Sequence, residues 1–276
     1  MGEEAQKAIV GHTMAIPKQK DDLKRLKKLL DEKVRLYNQP SFITGDPVSI
    51  PHRFSLRQDI EISGLFAAVL AWGNRTTIIN NCSRLMQWMD NAPYDFILHH
   101  RETDLKPFVH FVHRTFNATD LLYFISFLQF HYRQSSSLED AFVPGVEYRE
   151  ENVAAALIHF HNYFFSPEHP ERTEKHIATS VRKSACKRIN MYLRWMVRKD
   201  QCGVDFGIWD KIKMHQLVCP LDVHVARVSH RLGLLPNDKS NWQNAVHLTE
   251  QLKQLNPDDP AVYDYALFGL GMAERL

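Results

Sequence analysis

The segment IEISGLFAAVLAW, residues 60–72, constrains the fold more than any other stretch. A helix built from it is apolar nearly all round, so it cannot lie on a surface and must be wrapped by other elements. Those other elements also carry helical periodicity. DDLKRLKKLLDEKVRLYN (21–38) is amphipathic, TTIINNCSRLMQWMD follows a Gly-Asn-Arg break, and NATDLLYFISFLQFHYRQ (117–134) opens on cap residues. NVAAALIHFHNYFF, SACKRINMYLRWMVRK, NWQNAVHLTEQLKQL and AVYDYALFGLGMAERL complete the set, and no run alternates as a strand does. The pattern predicts an all-α fold of roughly ten helices.

With 276 residues the chain can bury a large core, either as one bilobed domain or as two small ones. Its apolar fraction of 44% and charged fraction of 24% exclude a disordered or fibrous class. The longest uncharged apolar run, eight residues from Leu65, falls far short of the ~20 that a membrane span requires. Residues 1–20 lack a signal-peptide stretch and read as a flexible tail, so the expected location is the cytoplasm. Cys82, Cys186, Cys202 and Cys219 are scattered without a CxxC pair, which argues for free thiols rather than a zinc or iron–sulfur site. Histidine groups occur in HHRETD (99–104), HFVH (110–113) and HFH (159–161), but HxH does not share a helix face, HFVH has no nearby acidic ligand set and the sequence has no His-Asp dipeptide, so no metal is expected.

The net charge of +2 is uninformative, but seven Lys or Arg and no acid lie between Val181 and Lys199. On a helical wheel Lys187, Arg194 and Arg198 fall within about 40° of one another, beside Met191. This is either a solvated face or the footprint of a polyanion. Lys187 lies near the helix start, where the dipole and Arg188 disfavour an ammonium, and a lysine so placed can serve as an amine nucleophile. Asp222, in PLDVHVARVSHRLGLLP, stands at the mouth of a helix bounded by Gly233. There it is either a plain cap or a carboxylate kept ionised for chemistry.

Three stretches, in order, resemble the helix-hairpin-helix DNA glycosylases, the superfamily of endonuclease III and the 8-oxoguanine glycosylases. LDVHVARVSHRLGLL resembles the superfamily's VDxHVxRVxxRLGL helix, with Asp222 in the place of the catalytic carboxylate. AAVLAWGNRTTIINN resembles the AVLLSxQxTD…N helix and turn, which puts Asn74 where a polar side chain enters the DNA. The helix carrying Lys187 precedes Asp222 as the lysine-bearing hairpin helix does, at a separation more similar to the archaeal 8-oxoguanine branch. From about residue 21 the chain also resembles a bacterial family of this superfamily, without an assigned activity, marked by SACKRxNMxLRWMVR and PLDxHV. The hairpin signature LPGVGxxTA is absent, and no glycine occurs between Gly145 and Gly203. The terminal iron–sulfur cysteines are absent as well.

The resemblance implies two helical lobes with a cleft between them. One is continuous, residues 51–204 with the hairpin-like basic helix, and the other joins 21–50 to 205–276. It further implies an enzyme that excises a damaged base from double-stranded DNA after the nucleotide is everted, with strand-nicking lyase activity, no cofactor, a monomeric state and a place at the bacterial nucleoid. Lys187 and Asp222 would be catalytic. Asp264 and Phe268, one helical turn apart, would hold the base together with Trp72 and Met191, favouring an oxidised purine such as 8-oxoguanine. Asn74, Arg75, Lys183, Ser184, Arg188, His224 and Arg227 would contact DNA. Two other readings remain open: a DNA-binding protein that lost catalysis on the same scaffold, and a helical protein-interaction module.

Overall fold

A computed structural model describes residues 20–272, so the tail expected over residues 1–20 lies outside the described residues but for its last position. Among the described residues the fold is helical, as expected. The α-helices are α1 (Lys20–Tyr37), α2 (Arg57–Val69), α3 (Arg75–Trp88), α4 (Pro93–His99), α5 (Ala118–Tyr132), α6 (Glu139–Phe142) and α7 (Ala154–Phe164). After a polar loop come α8 (Lys187–Val197), α9 (Val223–Arg231), α10 (Trp242–Lys253) and α11 (Tyr263–Met272). One strand pair departs from the all-helical pattern. In it β1 (Val112–His113) runs antiparallel to β2 (Phe116–Asn117), with His113 opposite Phe116. Two residues per strand are too few for a period of two to register in a sequence.

The central helix is α2, where every residue from Asp59 to Val69 is buried. Its one fully buried acid, Glu61, is matched donor by donor. Oε1 accepts from Ser137 Oγ at 2.7 Å, Trp209 Nε1 at 2.7 Å and Arg57 Nε at 3.2 Å. Oε2 accepts from Tyr132 Oη at 2.8 Å and the Leu138 amide at 2.9 Å. A buried carboxylate persists only with such partners, and these tie α2 to the end of α5 and to the chain around Trp209.

The wheel reading of α8 requires correction. Residues Ile189–Val197 are buried throughout, Arg194 at 3% exposure and Arg198 at 2%, so the cations form no continuous solvated or DNA-facing stripe. Arg194 pairs with Asp205 at 3.3 Å and with Asp264. Arg198 pairs with Asp200 at 2.7 Å, and with Asp205 and Asp259 at 2.9 Å each. The Arg194 guanidinium also lies 4.2 Å from the centre of the Tyr265 ring. A surface helix would have needed none of this; the aspartates come from beyond α8 in sequence, and the wheel cannot see them.

Helix α2 packs on α8, and α11 packs on both α1 and α9. The approach of α1 to α11 is close because Gly269 has no side chain. A Cβ built there would sit 2.2 Å from the Tyr37 ring. We expect Gly269→Ala to destabilise the protein by about 1–3 kcal/mol, roughly 2–4 °C of melting temperature per kcal/mol. Gly145→Ala, whose Cβ would meet nothing nearer than the Glu147 carbonyl at 3.9 Å, should melt with the wild type. Equal melting of the two variants would remove Gly269 as the contact that sets this packing.

Candidate functional site

Asp222 is a cap, and it is more than a cap. Its backbone is extended, and one oxygen, Oδ1, accepts from the His224 and Val225 amides at 2.9 Å each, opening α9. The other oxygen, Oδ2, lies 3.8 Å from Lys187 Nζ. Both side chains are part-exposed, at 25% and 27%. That separation is too long for a direct hydrogen bond and lies within ion-pair range.

Lys187 is the first residue of α8. The turn before it lacks glycine, and two other residues take the left-handed conformation instead: Lys183 at φ +60° and Cys186 at φ +51°. The turn is pinned from three sides. Ser184 Oγ accepts from the Cys186 amide at 3.2 Å, Asn190 Nδ2 donates to the Ala185 carbonyl at 3.1 Å, and the Trp242 amide donates to the Lys183 carbonyl at 3.3 Å. Two residues before Trp242, Ser240 Oγ donates to the Leu221 carbonyl at 2.9 Å. One loop therefore holds the residues leading into both charged groups.

A cavity of about 310 Å³ opens beside the pair, walled by Lys187, Asp222, Ser184, Arg188, His176 and Ser240 among others. Two further wall groups could compete for the role of nucleophile or base. Burial pushes the Cys186 thiol up to about 12, so it is no thiolate at neutral pH. Burial likewise pushes His176 down to about 4, and the opposing pull of Asp120 does not restore it. Neither is the reactive group of this cavity at pH 7. Among the described residues no group of three or more His, Cys, Asp or Glu is placed to hold a metal.

The remaining expected residues divide. Asn74 is exposed and caps α3 through the Thr77 amide at 3.1 Å. Arg75, the next residue, lies with its guanidinium 5.6 Å from the centre of the Phe268 ring, which also meets Phe42 edge-on. Lys183, His224 and Arg227 are exposed, while Ser184 and Arg188 are part-buried. Trp72 does not join Phe268: it stands with His113, Arg114 and Arg188. Met191 is buried in the core at 9% exposure. The expected base pocket of Asp264, Phe268, Trp72 and Met191 is thus not one surface.

Asp264 is the clearest correction. Its carboxylate is buried and given to Arg194, not turned toward a ligand. The i, i+4 spacing with Phe268 is real, but Asp264 lies on the flank of α11 that meets α8. Asp46, which sequence reasoning passed over, is a further buried acid. It accepts from the Val48 amide at 3.0 Å, and burial raises it against the fields of Arg75, Arg194 and Lys187. Its position just before Pro47 was a readable cap signal; its proximity to Lys187 was not.

Residues 46–273 match the family model described as "Protein of unknown function (DUF2400)", and the chain belongs to that family. Neither the curated proteins nor the solved structures yield a match.

The buried charges carry a testable pH dependence. Burial pushes Asp264 up to about 6, with Arg194 and Lys187 pulling it down and Asp222 and Asp205 opposing them. In the unfolded chain an aspartate titrates near 3.9, so as pH rises the unfolded state releases this proton first and stability falls between about pH 4 and 6. The stability difference between wild type and Asp264→Asn, from urea unfolding at each pH, should shift by about 3 kcal/mol across that window. A flat difference would place the titration elsewhere.

Proposed function

We propose that the chain is a DNA base-excision glycosylase with lyase activity at abasic sites. The observation that supports this reading is the Lys187 amine facing Asp222 Oδ2 across 3.8 Å at the rim of the cavity. An amine and a carboxylate so paired suit chemistry at C1′ of a nucleotide taken out of the stack. Positive charge develops on the sugar as the glycosidic bond lengthens, and the ionised Asp222 stabilises it. Asp222 is also placed to take a proton from Lys187, whose nitrogen lone pair then bonds C1′ as the base departs with the electrons of the broken bond. The C1′–O4′ bond then breaks, with O4′ gaining a proton and the nitrogen losing one, to give a Schiff base; loss of a C2′ proton from it eliminates the 3′ phosphate. Asn74, exposed at the start of α3, would occupy space left by the everted nucleotide. Phe268 and Arg75 would meet the base.

The choice of an oxidised purine leaned on Asp264, which is committed to Arg194. The lesion is therefore best read from a panel that includes 8-oxoguanine and abasic sites. With borohydride, wild type should form a covalent adduct on such duplexes, and Lys187→Ala should lose it while Lys183→Ala keeps it. Asp222→Asn should slow base release by about 10²–10³. It should also melt within a few degrees of wild type, because asparagine caps a helix as well as aspartate does. Trapping by Lys187→Ala at the wild-type level would remove the nucleophile. Salt-sensitive duplex binding with no lesion processed would leave a DNA-binding protein in place of an enzyme.

A further inference from the structure

The tip of the β1–β2 pair holds a group that the mechanism does not use. Arg114 sits in the two-residue turn in the left-handed conformation, φ +56°, a strained state for an arginine. The turn is held in place by His113. Its Nε2 faces the Trp72 carbonyl at 3.2 Å and so carries the proton, leaving Nδ1 to accept from Asn81 Nδ2 at 2.9 Å. The Arg114 guanidinium then lies 4.7 Å from the centre of the Trp72 ring. Gly73, at φ +106°, permits this approach: a Cβ there would stand 2.9 Å from Arg114 Nη1. Arg188 comes to the same ring from α8, at 5.9 Å, with Nη1 donating to the Val69 carbonyl that ends α2.

Neither arginine has a carboxylate partner among the described residues, and that sets them apart. Arg194 and Arg198, drawn fully into the protein, are each matched by two or more aspartates. Burial pushes the Arg188 guanidinium below its ordinary value with nothing to offset it. Two unpaired cations gathered on one indole raise each other's energy unless an anion joins them. Arg188 also lines the cavity beside Lys187 and Asp222, so the pair is continuous with that site. Its outer edge is open, since Arg114 and Val112 are exposed. The planar fork of arginine fits the oxygens of a phosphate.

We propose that Arg114 and Arg188, packed on Trp72, form a phosphodiester-binding site that grips a strand of duplex DNA beside the cavity. The inference rests on the DNA reading above but not on catalysis. It is tested by fluorescence anisotropy of an undamaged labelled duplex over about 50–200 mM salt. Arg114→Gln should weaken binding several-fold at low salt and lower the slope of log K against log salt by about 1. Arg114→Lys should keep most of the slope, and Arg133→Gln, an exposed arginine elsewhere on the surface, should leave it unchanged. Arg114→Gln binding with the wild-type affinity and slope would overturn the site, as would an equal loss in Arg133→Gln. Base release is read in parallel on the lesion-bearing duplexes of the panel above. Duplex binding that Arg114→Gln weakens, with no base release by wild type, would refute the glycosylase reading and leave the phosphate site standing. No duplex binding by wild type would overturn the site.

Discussion

Two guanidinium groups near one end of α8 decide where its other end lies. Arg194 and Arg198 are buried among Asp200, Asp205, Asp259 and Asp264, and the first of these arginines joins α8 directly to α11. Taking so many charges out of water is expensive, and removing one partner from such a pair typically costs about 3–5 kcal/mol. The arrangement therefore tolerates little sliding or rotation of α8. Lys187 is seven residues upstream of Arg194, about 10 Å along the axis. Helix α11 in turn packs on α9, whose cap is Asp222. The amine and the carboxylate thus meet because two helices that carry them are registered, directly or through α11, by the same buried charges.

Within that frame Asp222 divides its labour between its oxygens. The two amides at Oδ1 fix the carboxylate in direction. Oδ2 is left to face Lys187 and the cavity. Capping and chemistry are not rival roles here, because they use different atoms. The nearest alternatives are weakened by their surroundings: the Cys186 thiol by burial that keeps it protonated, His176 by burial that makes its imidazole a poor base.

What was legible in the sequence was local. The period of the apolar residues located most of the helices, and the excess of apolar residues in IEISGLFAAVLAW marked α2 as central. Asn117 and Asp222 announced themselves as caps. What was not legible was long-range compensation. Arg194, Arg198 and Asp264 look like surface or pocket residues until Asp205 and Asp259 are brought to them from other segments. Arg114 gave no signal at all, because its role depends on a two-residue strand pair and on a glycine 41 positions earlier. Residues whose partners lie within a helical turn could be read from the residues themselves; of those whose partners lie a fold away, Lys187 and Asp222 were paired through the resemblance alone.

The turn before α8 shows how the site is kept rigid without glycine. Left-handed backbone at a residue with a Cβ costs roughly 1–2 kcal/mol, and the turn contains two such residues, Lys183 and Cys186. Strain of that size relaxes unless neighbouring contacts over-determine the shape. Here the Asn190 amide and Ser184 hydroxyl brace the turn from within, and the Trp242 amide holds it from outside. The same loop, through Ser240, holds the carbonyl of Leu221, the residue before Asp222. A displacement of that loop would carry the approaches to Lys187 and Asp222 together, so their separation is protected even where their common position is not. An uneven pair of anchors would have let the strained turn unwind toward solvent and take the amine with it.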